Sequence, residues 1–238
     1  MRRKALIISA PGSDLPGVKQ DAENLQSYLL SARGGAWRRD EITVLSDPSK
    51  AHVEAHLSML SLSCDYSFVA FGGHGRYNVS KRTTEIQLRS NEIMDVASLR
   101  QGAARHTLML DTCRVLYQTQ LNERMIAKAM ADSYQFAESN ARQIFDDHLS
   151  KSFPGIVEIY SCDISETAGE EASGGYYTTS LVEAAKLWAS HASYGAALSI
   201  KDAHDIASVA VKRKTGNRQN PRAGYPRSQP YFPFAVKG

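Results

Sequence analysis

The chain has 238 residues, 42% hydrophobic and 22% charged, which are ordinary values for a soluble globular fold and exclude a disordered or fibrous one. A formal net charge of +3 is too small to argue for nucleic acid, and three sparse cysteines give neither a disulfide framework nor a CxxC zinc site. No apolar run approaches the roughly 18 residues of a membrane span, so a reduced, cytoplasmic protein with no membrane partner is expected.

The opening MRRKALIISAPG pairs basic residues with a short apolar run that Pro11–Gly12 cuts off, so it reads as a first strand rather than a signal peptide. Within it Lys4–Ala10 is apolar without alternation, as expected of a strand covered on both faces. Val18, Ala22, Leu25, Tyr28, Leu29 and Ala32 recur at helical spacing, with Asp21 and Glu23 near the helix start and Gly34–Gly35 beyond its end. Ile42–Leu45 reads as a second strand, Ala51–Leu62 as a second helix and Tyr66–Phe71 as a third strand. Lys81–Leu88 reads as an exposed hairpin, Ser90–Ala104 as a segment containing a helix, and Thr107–Leu110 as a fourth strand. This β-α-β-α-β order is that of a mostly parallel sheet with helices on both faces.

Beyond Cys113 the stretch Val115–Ser152 is polar and helix-prone. Ile156–Ser161 reads as a strand and Cys162–Gly175 as a Glu/Ser/Gly-rich loop, whose Glu166, Glu170 and Glu171 read as solvated, with subsites for basic substrates as the second reading. Tyr176–Ser190 and Ile200–Lys212 read as helices. An irregular tail from Lys214 carries one terminal strand, Tyr231–Val236.

Two apolar runs carry the chemistry. DYSFVAFGGHG (65–75) delivers His74 between glycines, and HTLMLDTCR (106–114) delivers Cys113 two residues after Asp111. Adjacent parallel strands ending side by side would bring imidazole and thiol together at the carboxyl edge of the sheet, where open α/β sheets place their sites. A thiol is nucleophilic as thiolate and needs a base beside it. His74 can be that base, and the backbone N–H groups of Gly75 and Cys113 are candidate oxyanion donors. Read separately, Cys113 could be a small core hydrophobe and GGHG a plain turn. Cys64 reads as a packing residue and Cys162, at a strand end, as a wall residue near the proposed site.

FGGHG followed by LDTCR resembles the caspase-like cysteine peptidases, the superfamily of caspases, metacaspases, paracaspases and bacterial relatives. GVKQDAENLQSYL is similar to the first helix of that fold, and YSCDISETAGEEASGGYYTTSLVEAA to the start of its small-subunit half. The resemblance implies an α/β, three-layer α/β/α fold with a roughly six-stranded, mostly parallel sheet. It implies a single domain over 1–238, in which 1–114 is the large-subunit-like half, 115–152 a linker-like insertion and 153–238 the small-subunit-like half. It makes His74 the general base or acid and Cys113 the nucleophile.

The resemblance also bears on specificity. The position two before the nucleophile is glutamine in animal caspases and aspartate in metacaspases, where it lines a pocket for Arg or Lys; here it is Asp111. A buried carboxylate favours a guanidinium. Asp163 and Asp14 lie where the family builds the rest of that pocket; the bland alternatives are that Asp111 caps the turn, Asp163 is solvated and Asp14 merely starts its loop. Arg114 follows the cysteine in place of the metacaspase His-Ser-Gly, and its charge could assist the thiolate. Asp146–Asp147 reads as a helix face, and no calcium or other cofactor is implied.

Arg124, Lys128 and Arg142 in the linker-like insertion are candidate self-cleavage points. The expected activity is a cysteine endopeptidase acting after Arg or Lys, a regulated effector in signalling, cell death or defence. Its expected partners are protein or peptide substrates and an activating protein or small signalling ligand. The alternatives are a catalytically silent scaffold and a ligand-sensing module that acts by binding.

Overall fold

The computed structural model describes residues 1–89, 92–116 and 138–238. The first half alternates β1 (Arg3–Ala10), α1 (Pro16–Leu30), β2 (Ile42–Ser46), α2 (Lys50–Ser63) and β3 (Tyr66–Gly73). Three short strands follow, β4 (Gly75–Asn78), β5 (Thr83–Gln87) and β6 (Ile93–Asp95), before β7 (Arg105–Asp111). The second half runs α3 (Glu138–Lys151), β8 (Gly155–Tyr160), β9 (Glu170–Glu171) and β10 (Gly174–Gly175). It ends with α4 (Tyr176–His191), β11 (Ala197–Ser199), α5 (Ile200–Thr215), β12 (Arg222–Gly224) and β13 (Pro233–Val236).

The central sheet has six strands in the order β12-β8-β7-β3-β1-β2, all parallel except β12, which runs antiparallel to β8. Its three-layer build follows from the two-residue period of a strand. Ala5 and Ile7 of β1, Phe68 and Ala70 of β3, Met109 of β7 and Val157 and Ile159 of β8 pack against α1, α3, α4 and α5. Their neighbours Leu6 and Ile8, Val69 and Phe71, and Leu108 and Leu110 point the other way, against Val53, Leu57 and Leu60 of α2 and the apolar side of β5 and β6. Continuous apolar runs are what a strand buried on both faces requires. Ser49 caps α2 by accepting the His52 N–H, Ser199 caps α5 through Asp202 N–H, and Gly216 ends α5 in the left-handed region at φ 59°.

Four expectations need correction. The Lys81–Leu88 hairpin is not exposed: Glu85, Ile86 and Leu88 are buried, and β4-β5-β6 form a three-stranded ribbon over α2's side of the sheet. The expected helix within Ser90–Ala104 is instead β6 and a short 3₁₀ turn at Val96–Arg100, started by Asp95, whose carboxylate accepts the Ala97 N–H. The tail is not irregular up to its last strand, because β12 joins the central sheet and β13 pairs with β11. The Glu-rich loop is only partly solvated: Glu166 accepts from Asp163 N, Asn220 N and Asn220 Nδ2, and Glu171, still 40% exposed, pairs with Lys214.

The core is expected to behave as one cooperative unit under the strand ends. Leu110→Ala, at a fully buried β7 position, should cost about 2–5 kcal/mol in urea unfolding. A loss under 1 kcal/mol would contradict this packing.

Candidate functional site

The parallel registers bring the chemistry together. β3 and β7 pair so that Gly72 lies opposite Asp111, and β1 and β3 pair so that Ala10 lies opposite Gly73. His74 and Cys113 therefore leave the same edge two residues beyond one register pair. The loops are pressed together: a Cβ on Gly75 would lie 2.2 Å from Thr112 Oγ1 and 2.9 Å from the Cys113 carbonyl oxygen, so only glycine fits there. Gly73 adopts φ +150°, where a side chain would also meet the Ala10 carbonyl at 2.6 Å.

Three of the expected acids occupy three different settings. Asp14, in the loop after β1, accepts from His74 Nε2 at 2.9 Å, so it faces the imidazole. Asp163, after β8, is held by Arg222 of β12 (Nε to Oδ2, 2.7 Å) and by the Ile164 N–H. Asp111 is buried, and its Oδ2 accepts from Thr178 N (3.1 Å) and Thr178 Oγ1 (2.7 Å) at the start of α4.

A fourth acid, Asp21 of α1, stands beside Asp111. Its Oδ2 accepts the Gly175 N–H at 2.8 Å, while its buried Oδ1 has no hydrogen-bond partner. A Cβ on Gly175 would lie 2.6 Å from Asp111 Oδ2 and 3.0 Å from Asp21 Oδ2, so the two carboxylates converge on one backbone position. Both border a cavity of about 20 Å³ together with Val18, Gly72 and Thr178, room for about one water molecule. Burial, and then the Asp111 charge, push the Asp21 carboxyl well above its ordinary value; burial pushes Asp111 up as well. Asp21 shares the buried face of α1 with Val18, Ala22 and Leu25. An acid on an apolar stripe was the signal in the sequence that would have found it.

The segment after β8 lies over the thiol. Ala168 N–H donates to Cys113 Sγ at 3.4 Å, and Sγ faces the Ala168 carbonyl at 3.8 Å. Burial raises the Cys113 thiol, the Ala168 N–H opposes that shift, and the Asp111 and Glu170 charges add to it. Gly169 N–H is held by Gln219 Oε1, and Glu166 by Asn220, so the segment after α5 fastens this cover. Arg114 is turned away from the thiol. Its guanidinium lies 4.2 Å over the Tyr160 ring, with Nε on Thr84 Oγ1 and Nη1 on the Cys162 carbonyl.

Arg124 and Lys128 lie outside the described residues. Arg142 lies within α3, where it donates to both carboxylate oxygens of Glu41. Cys64 and Cys162 are buried and all three cysteines are free. On the far side of His74 an open cleft of about 310 Å³ is lined by Ala10, Gly12, Asp47, Gln87, Leu88 and Arg89. Among the described residues no helix is long and apolar enough to cross a membrane.

A family model described as a caspase domain, peptidase C14, matches residues 2–226. Among solved structures the chain is similar to caspase-1 from Spodoptera frugiperda, at 12% identity and a TM-score of 0.58, over 99% of this chain and 90% of that one. A search of curated protein sequences finds no match.

The buried acid pair has a measurable cost. A carboxyl whose folded-state pKa is raised keeps protons that the unfolded chain has already released. Stability is therefore lost as pH rises from the ordinary value near 3.8 through the raised one. Asp21→Asn should raise the melting temperature at pH 7, with the gain fading below about pH 4. A lower melting temperature at pH 7 would show that the pair is not strained.

Proposed function

The chain belongs to the caspase-domain family, and from that premise we propose that it is a cysteine endopeptidase cleaving after Arg or Lys. The observation that carries the reading is the joint placement of His74 and Cys113 at adjacent strand ends with the Asp21–Asp111 pair beside them. The imidazole takes the Sγ proton and the thiolate attacks the scissile carbonyl carbon. The N–H groups of Gly75 and Cys113 receive the oxyanion. The imidazolium then gives its proton to the leaving amine, and water hydrolyses the acyl-enzyme.

Basic specificity follows from electrostatics. Burial raises the proton affinity of both carboxylates, and the Asp111 charge raises that of Asp21 further; a guanidinium, admitted once the one-water cavity between them widens, offsets both penalties through charge-assisted hydrogen bonds. Asp21 takes the place in this pocket that Asp163 and Asp14 were expected to fill, because Arg222 and His74 already engage those two. The chain acts as a regulated cytoplasmic effector: its thiols are free, and Ala168 must leave Cys113 before a substrate carbonyl can approach. That same cover favours a second reading, a scaffold that binds partners without turnover.

Fluorogenic peptides ending in Arg, Lys or Asp, with Cys113→Ala as control, separate the readings. Cleavage after Arg and Lys that is abolished in Cys113→Ala is expected. Asp111→Asn should lower kcat/KM for Arg peptides by roughly 10²–10³-fold, the cost of removing one partner of a buried charge pair. Cleavage after Asp would refute the acidic pocket, and cleavage surviving in Cys113→Ala would refute the nucleophile. Silence with every peptide, even after limited proteolysis, would favour the scaffold.

A further inference from the structure

The contact between Asp14 and His74 joins two loops from different strands and engages one of the two ring nitrogens. Asp14 Oδ1 lies 2.9 Å from His74 Nε2. The loop is shaped for this approach: Gly12 sits at φ +56°, and its Cβ position would lie only 3.4 Å from Asp14 Oδ1 and 4.0 Å from the imidazole. Leu15 N–H donates to the Pro11 carbonyl, closing the turn that carries Asp14. Glu170 also interacts electrostatically with the ring, but its side chain accepts the Gly17 N–H at the start of α1. Asp14 alone among these acids has its oxygen on the imidazole.

We propose that Asp14 is the positioning residue of a Cys113–His74–Asp14 triad. The inference rests on the reading of His74 as the general base. The Asp14 carboxylate accepts the Nε2–H, which fixes the neutral ring in one tautomer and leaves Nδ1 as the basic nitrogen toward Cys113. When the Sγ proton moves to Nδ1, thiolate and imidazolium form together, and the Asp14 charge stabilises the imidazolium without itself taking the proton. This assigns Asp14 to the rate of the chemical step and removes it from the specificity pocket.

The two roles predict different kinetics. With Asp14→Ala, kcat should fall roughly 10- to 100-fold for Arg and Lys peptides alike, with KM within about twofold of wild type. The drop is smaller than the ~10⁴-fold seen for a buried triad aspartate, because the Asp14 side chain is 49% exposed. Asp14→Glu should recover part of the loss. In protein labelled with ¹⁵N-histidine, with His74→Gln to assign the signal, the neutral form of the wild-type His74 ring should show protonated Nε2 and unprotonated Nδ1. Asp14→Ala should show a tautomer mixture. Because both side chains are partly exposed, the melting temperature should not change; Asp14→Asn provides the same readouts should the alanine variant not fold. An unchanged kcat, a KM rise confined to Arg peptides, or a neutral wild-type ring protonated at Nδ1 would each overturn the assignment. A wild-type chain that cleaves nothing would sink the peptidase reading, while the tautomer measurement would still decide what Asp14 does to His74.

Discussion

Everything in this site depends on the parallel register of four strands. Parallel strands finish at one edge, and β1, β3, β7 and β8 are aligned so that Ala10, Gly73 and the residues just past Asp111 and Tyr160 arrive there together. A shift of one residue in β7 would send Asp111 to the α2 face and remove its bonds to Thr178. The two apolar cores, one on each face of the sheet, hold that alignment. The loops then need only be short and glycine-rich enough to pack, as Gly73 and Gly75 do.

Much of this was readable from residues because the parallel core writes itself plainly. KALIISA, YSFVAF and TLML are uninterrupted apolar runs that only a two-sided strand accounts for, and each ends in small or polar residues. His74 and Cys113 stand out as candidates for the same reason, as reactive side chains at the abrupt ends of such runs. What stayed hidden was set by tertiary contact. β12 is Arg-Ala-Gly, three residues with no pattern, and it is a strand because β8 offers it an open edge. The segment around Ile93–Arg100 has apolar residues at spacings that suit a helix, yet pairing with β5 extends its first part.

The acids show the limit most clearly. Asp14 and Asp163 occupy the loops a pocket would use, but a loop position does not tell which way a carboxylate turns. Asp14 turns to His74 and Asp163 to Arg222. Asp21 sits in a helix, where an acid in the first turns ordinarily serves the helix dipole. Its pairing with Asp111 depends on how α1 crosses β7 and the β10–α4 junction, which no local pattern encodes. Arg114 carries the same lesson: next to Cys113 in sequence, it spends its charge on Tyr160 and the Cys162 carbonyl.

The fastening of the cover over Cys113 can be expressed as a population. Lifting the segment around Ala168 breaks three hydrogen bonds to the stretch after α5, namely Gly169 N–H to Gln219 and the two from Asn220 to Glu166. At about 0.5–1.5 kcal/mol net each, these three bonds alone disfavour the uncovered conformer by roughly tenfold to two-thousandfold. Any rate governed by that conformer is scaled down by the same factor. A binding event that draws residues 219–220 away would then raise turnover by up to that factor, without altering a single atom of the imidazole or the thiol.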